Sequence, residues 1–152
     1  MTKPSAIYSD SCDVLVNTDQ PFILVLRLGE NLFENIIRCA NTINLKAASL
    51  SGLGALEDVV VAYYNLHTKT FQQKLFKGTY ELISLNGNIS LSNNKPNVHI
   101  HAALGTEEYN VIGGHIMGAI VSATAEICIT PLSGPMHREY KEQFATKIIC
   151  PG

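Results

Sequence analysis

The sequence predicts an α/β fold of the α+β kind, an antiparallel β-sheet with one main helix. Three observations support this expectation. One segment repeats its apolar residues at helical spacing, most other segments are rich in β-branched and aromatic residues, and turn residues separate these segments. The chain has 152 residues, of which 46% are hydrophobic, so it can bury one sizeable core. We therefore expect a single domain over residues 1–152.

The helical segment extends from Glu30 to Ile43. Gly29 precedes it and Asn44 follows it, and both residue types are common at helix boundaries. Apolar residues recur every three or four positions, which places them on one face of a helix. That face consists of Leu32, Phe33, Ile36, Ile37, Ala40 and Ile43.

Most of the remaining chain is typical of strands. We expect them over Phe22 to Leu28, Ala47 to Leu50, Val59 to Tyr64, Phe71 to Phe76, Tyr80 to Leu85, Asn88 to Leu91, Val98 to Leu104, Ala119 to Ile129 and Thr146 to Cys150. The pair Asn86-Gly87 predicts a hairpin, because a type I′ turn needs positive φ at both central residues. A second reversal is expected at Asn93-Asn94-Lys95-Pro96.

Charge and cysteine content narrow the function classes. The formal net charge is −2, and the eleven Lys and Arg residues form no basic run that would follow a phosphate backbone. No apolar stretch is long enough for a signal peptide or a membrane span, so we expect a cytoplasmic protein. The cysteines at positions 12, 39, 128 and 150 form no C-x-x-C pair and are expected to be reduced thiols.

Three of the five histidines lie where one metal ion could bind them. His99 and His101 are two apart in a predicted strand, so their side chains point to the same face about 7 Å apart. His115 could supply a third ligand if the chain folds back at Gly113-Gly114. Neutral imidazole suits zinc first, and nickel, copper and iron remain open. The plainer alternative is that these are hydrogen-bonded core histidines.

An enzyme would also need an acid or base near the metal. Glu81 and Glu126 lie in apolar strand-like surroundings and are the candidates, although either could equally face solvent. Arg27 and Arg138 could pair with such carboxylates or form ordinary salt bridges. The other two histidines, His67 and His137, are expected at the surface.

Six blocks in order resemble the PPC domain, which is conserved in plants and prokaryotes. They are Gly29-Glu30, the helix, Ala48 to Leu56, Gly78 to Gly87, His99-Ile100-His101 and Gly113-Gly114-His115. The resemblance implies an α/β fold on an antiparallel sheet, assembly as a homotrimer, and a metal unit with His99, His101 and His115 as ligands. It also implies a fold similar to that of acetolactate decarboxylase, a zinc enzyme that uses three histidines.

Two departures separate this chain from plant members of that family. Where the plant pattern has Gly-Arg-Phe-Glu, this sequence has Gly78-Thr79-Tyr80-Glu81, and it carries no AT hook. It therefore resembles the short prokaryotic members.

The sequence is thus interpreted as a metal-binding PPC-domain protein, with a DNA-associated or regulatory role implied by the resemblance alone. The alternatives are a zinc-dependent, lyase-like enzyme acting on a small carbonyl substrate, and a structural assembly module. Its expected partners are two further copies of itself and a DNA or protein partner, with a small-molecule ligand at the metal also open. A basic face would favour the DNA-associated role. A carboxylate beside an open metal position would favour the enzyme, and a closed tetrahedral site would favour the assembly module.

Overall fold

The computed structural model describes residues 4–15 and 19–150, which form one α-helix, a short 3₁₀ helix and eight strands. The α-helix, α1, is Leu32–Thr42 and the 3₁₀ helix is Ser9–Leu15. The strands are β1 (Ala6–Tyr8), β2 (Phe22–Arg27), β3 (Ala48–Asn65), β4 (Thr70–Ser92), β5 (Lys95–Gly105), β6 (Val111–Pro131), β7 (His137–Lys141) and β8 (Thr146–Cys150).

All eight strands belong to one sheet. Seven of them follow the order β1-β2-β6-β3-β4-β7-β8, and β5 lies off this path. Strand β5 pairs with both β4 and β6, so the four long strands β3 to β6 close on one another. Every pairing is antiparallel except β1 with β2 and the single contact of β4 with β7. The expected antiparallel sheet with one helix is confirmed, and the two parallel contacts make the sheet mixed.

Helix α1 begins and ends close to the predicted bounds. The side chain of Asn31 accepts hydrogen bonds from the backbone N–H groups of Phe33 and Glu34 at 3.0 and 3.1 Å, which satisfies two donors of the first turn. Asn44 follows the helix with φ +54°, a left-handed conformation that stops the helical hydrogen bonding. The apolar face packs on the sheet, where Leu32 and Ile36 are fully buried.

The prediction of a hairpin at Asn86-Gly87 is wrong. Asn86 lies within β4 and is paired with Ser51 of β3 on one side and with His101 of β5 on the other. A Cβ atom on Gly87 would lie 2.3 Å from the carbonyl oxygen of His99. Gly87 is therefore required for close approach of two strands, not for a turn.

Two long strands replace the shorter ones predicted. Strand β3 spans two of the predicted strands and β4 spans three, because register shifts such as those between Gly52 and Gly54 and between Glu57 and Val59 bend the chain without ending its pairing. The second expected reversal is present, since Asn93 and Asn94 have φ of +52° and +60° between β4 and β5.

Cys12 and Cys39 are buried, and in the described residues none of the four cysteines is part of a disulfide. No helix in residues 4–15 and 19–150 has the length and apolar character needed to cross a membrane.

Candidate metal centre

The pairing of β5 with β6 brings the three predicted histidines together. His99 and His101 lie on the same face of β5, and His101 is directly opposite His115 of β6 in the antiparallel register. The ring centroids are 4.9 to 5.2 Å apart for all three pairs. The reversal that returns His115 to the other two is not at Gly113-Gly114, as predicted, but in the loop from Thr106 to Asn110 that joins β5 to β6.

Two glycines allow β6 to approach its neighbours at this point. A Cβ on Gly113 would lie 2.2 Å from the carbonyl oxygen of Ala102 in β5. Gly114 has φ +153°, and a Cβ there would lie 3.0 Å from the carbonyl oxygen of Ala62 in β3. Any side chain at these positions would push β6, and His115 with it, away from the other histidines.

The nitrogen positions fit one metal ion. One ring nitrogen from each histidine lies within 4.8 Å of the others. Nε2 of His99 is 3.1 Å from Nδ1 of His115. Two nitrogens bound at about 2.0–2.1 Å to a tetrahedral zinc ion are about 3.3 Å apart, so this pair already has nearly the required separation.

Arg138 of β7 forms one side of this cluster. Its Nη2 lies 2.9 Å from Nδ1 of His99. The guanidinium can only donate, so Nδ1 accepts, and the neutral ring carries its proton on Nε2, from which it donates to His115. Three other N–H groups of Arg138 bind Ser90 Oγ at 2.9 Å, Asn88 Oδ1 at 3.0 Å and the Lys147 carbonyl at 3.2 Å.

The surroundings of His99 and His115 keep these two imidazoles neutral. Burial, followed by the charge of Arg138, lowers the pKa of His99 from 6.5 to about 4. Burial also lowers the pKa of His115, with smaller contributions from His101 and Arg138. Neutral histidine is the form that binds a metal, so these environments favour ligation at neutral pH.

The cluster lies in an open cleft of about 1040 Å³. Its walls are largely apolar, and the ring of Phe71 lies 5.2 Å from that of His115 and 4.8 Å from that of Tyr64. His101 is exposed, whereas His99 and His115 are partly buried. Within the described part of the chain, no Asp or Glu lines this cleft.

The candidate carboxylates lie elsewhere. Glu81 and Glu126 are both exposed, and Glu126 lines a second, smaller cavity beside Cys128. Arg27 binds Asp10 at 3.1 Å, and neither it nor Arg138 pairs with Glu81 or Glu126. His67 lies in the turn after β3 and His137 in β7, and both are exposed, as predicted.

Arg138 is the site residue whose role the sequence did not reveal. Its strand, β7, is not among the predicted strands, and its contacts reach Ser90 and His99, 48 and 39 residues away in sequence. The only local signal was the alternating segment His137 to Lys141, which is too short and too polar to predict a strand next to β4.

A family model for the Plants and Prokaryotes Conserved (PCC) domain matches residues 15–133. No curated protein matches the chain. A plant- and prokaryote-conserved (PPC) protein from Pyrococcus horikoshii is 32% identical, with a TM-score of 0.80 over 84% of this chain and 90% of that one. A metal-containing protein from Archaeoglobus fulgidus is 31% identical, with a TM-score of 0.82 over 90% of this chain and 96% of that one.

More distant structures share the fold. A protein from Bacteroides thetaiotaomicron, provisionally named as DNA-binding, is 22% identical with a TM-score of 0.83, and the match covers 88% of this chain and 94% of that one. Acetolactate decarboxylase from Bacillus subtilis is 13% identical with a TM-score of 0.56, over 81% of this chain and 58% of that one. The expected likeness to the fold of this decarboxylase is thus confirmed.

Proposed function

Because the chain belongs to the Plants and Prokaryotes Conserved (PCC) domain family, we propose that it is a metal-binding member in which His99, His101 and His115 hold one zinc-class divalent ion. The observation that carries this proposal is the convergence of one nitrogen from each of these histidines within 4.8 Å. The metal-containing relative from Archaeoglobus fulgidus supports it.

Zinc is the metal that the donor set favours. Three imidazoles and no thiolate or carboxylate form a set that zinc accepts, and the lowered pKa values of His99 and His115 keep both rings available for ligation. A zinc ion with three protein ligands supplies Lewis acidity at a fourth position that is left for water or a ligand atom. The exposure of His101 to the cleft argues against a closed structural site.

A zinc titration tests this function. Protein treated with EDTA is titrated with zinc in competition with a chromophoric chelator. Wild type should bind about one ion per chain, and His101→Ala should bind with an affinity at least about 100-fold lower, because two imidazoles remain. The matched control is His67→Ala, which removes an exposed histidine outside the cleft. Equal affinity in wild type and His101→Ala would contradict the proposal.

We further propose a DNA-associated or regulatory role. Its support is the provisional name of the Bacteroides thetaiotaomicron structure and three exposed lysines, Lys69, Lys74 and Lys77, on the hairpin formed by β3 and β4. With a net charge of −2, one chain offers little attraction to a phosphate backbone. The role therefore depends on a partner or on an assembly that gathers the lysines of several chains.

The alternative is a zinc-dependent enzyme acting on a small carbonyl substrate. The volume and apolar walls of the cleft favour a small-molecule ligand beside the histidines. In the described residues, however, no carboxylate lines the cleft, so an acid or base of the kind expected at Glu81 or Glu126 is missing. We therefore place binding ahead of catalysis.

We propose one PPC domain over residues 1–152, acting as a homotrimer in the cytoplasm. Support for the trimer comes from apolar side chains that a lone chain leaves exposed, among them Tyr63 at 69%, Leu66 at 70% and Val111 at 62%. A structural assembly module is the weaker alternative, because the histidine cluster opens to a cleft.

A further inference from the structure

Arg138 is a partly buried cation that has no anionic partner among the described residues. Its four hydrogen-bond acceptors are a serine hydroxyl, an asparagine amide, a backbone carbonyl and an imidazole, all of them neutral. In residues 4–15 and 19–150 it forms no salt bridge, and no carboxylate lines its cleft. A buried charge of this kind is normally paired, so an anion from outside the chain would complete the site.

The donors of Arg138 indicate how an anion would bind. A guanidinium has five N–H groups, and four of them are used by Ser90, Asn88, Lys147 and His99. The fifth, on Nη1, has no partner among the described residues. One free donor permits a single hydrogen bond to an anion but not the two-pronged pairing that arginine makes with carboxylates.

Metal ligation by His99 would free a second donor. A neutral imidazole that binds a metal through Nε2 carries its proton on Nδ1, where it can no longer accept from Arg138. If the metal binds Nδ1 instead, the lone pair of Nδ1 is donated to the metal and can no longer accept from Arg138. In either case the 2.9 Å hydrogen bond from Nη2 must break, which leaves one free N–H on each terminal nitrogen of Arg138.

We propose that the cleft binds a small organic carboxylate whose head group pairs with Arg138 beside the metal and whose apolar body lies against the walls. This inference rests on the proposed function, because the second donor appears only when His99 binds a metal. A dication next to Arg138, with no carboxylate from the described residues in the cleft, leaves three positive charges for an anion to balance. The aromatic wall at Phe71 and Tyr64 favours an anion with an apolar body over inorganic phosphate.

Cobalt-loaded protein provides the test, because the visible absorption of cobalt bound by histidines reports both loading and changes near the metal. Acetate, benzoate and inorganic phosphate are titrated separately into wild type, Arg138→Met, Arg138→Lys and Arg27→Met. Arg27→Met is the matched control, since Arg27 pairs with Asp10 outside the cleft.

We expect benzoate to change the spectrum of wild type and of Arg27→Met with equal dissociation constants, and to bind more tightly than acetate or phosphate. Loss of the paired hydrogen bonds should weaken benzoate about 10- to 100-fold in Arg138→Met. Arg138→Lys keeps the positive charge but lacks the paired N–H donors of a guanidinium. Its benzoate affinity should therefore lie between those of wild type and Arg138→Met. It also replaces the methionine variant if that protein does not fold.

Four results would overturn the inference. Equal benzoate affinity in wild type and in the Arg138 variant would remove Arg138 from the ligand site. Tighter binding of phosphate than of benzoate would show that an organic carboxylate is the wrong class of anion. A cobalt spectrum that no anion alters would overturn the inference alone, whereas failure of wild type to take up cobalt would overturn the proposed function as well.

Discussion

The guanidinium of Arg138 donates a hydrogen bond of 2.9 Å to Nδ1 of His99 and thereby joins β7 to the histidine cluster of β5 and β6. Burial of His99, reinforced by this positive neighbour, lowers the pKa of the ring to about 4. A protonated His99 would lose the hydrogen bond and face a second positive charge.

Stability should therefore decrease as the pH falls. Below its ordinary pKa of 6.5, His99 takes up a proton in the unfolded chain but stays neutral in the folded protein down to about pH 4. Between pH 6.5 and about pH 4 the unfolded state therefore binds more protons than the folded state, and the free energy of unfolding decreases as the pH falls through this range. Above this range His99 does not affect the pH dependence of stability. Urea unfolding in EDTA at pH 7 and pH 5 measures the loss, which should be smaller in His99→Gln than in wild type. An equal loss in wild type, His99→Gln and the surface control His67→Gln would contradict this assignment.

Gly87→Ala should destabilise the protein and weaken metal binding together. The new Cβ would lie 2.3 Å from the carbonyl oxygen of His99, so β4 and β5 must separate. We expect a loss of about 1–3 kcal/mol in the free energy of unfolding, measured with urea, and a lower zinc affinity because His99 moves. Gly118→Ala is the control, since a Cβ there meets nothing within 4 Å. If both variants behave alike, crowding at Gly87 is not what positions His99.

The isolated protein should be a homotrimer. The family resemblance implies this state, and the exposed apolar side chains of Tyr63, Leu66 and Val111 give it a physical reason, since their burial between chains is favourable. Sedimentation equilibrium at micromolar concentration should give about three times the chain mass of 16.6 kDa. A mass near one chain would rule the trimer out.

Duplex DNA should bind the protein alone more weakly than about micromolar at physiological salt. A chain of net charge −2 without a basic run releases few condensed counterions, and that release supplies most non-specific affinity. Fluorescence anisotropy over a salt series checks this expectation. Nanomolar affinity with a steep salt dependence would show instead that assembly gathers Lys69, Lys74 and Lys77 into one basic face.

Local patterns predicted the parts of this molecule that local interactions determine. Helix α1 was predictable because its apolar period lies within one short segment. The histidine cluster was predictable because His99 and His101 share a strand face and Gly113-Gly114 permits the approach of His115.

Long-range pairing determined the parts that were missed. The turn signal at Asn86-Gly87 was overridden because β3 and β5 hydrogen-bond that segment from both sides. Arg138 reaches His99 because β7 joins β4 through one backbone pairing, between Leu91 and His137, which no periodicity within the tail encodes.

The metal content of the protein as purified tests the central claim most directly. Elemental analysis should find about one zinc-class ion per chain in wild type and in a control that carries His67→Ala and His137→Ala, two exposed histidines outside the cleft. The double variant His99→Ala, His101→Ala should contain almost none, because only His115 remains. Equal metal content in this variant and in wild type would contradict the assignment of the metal centre.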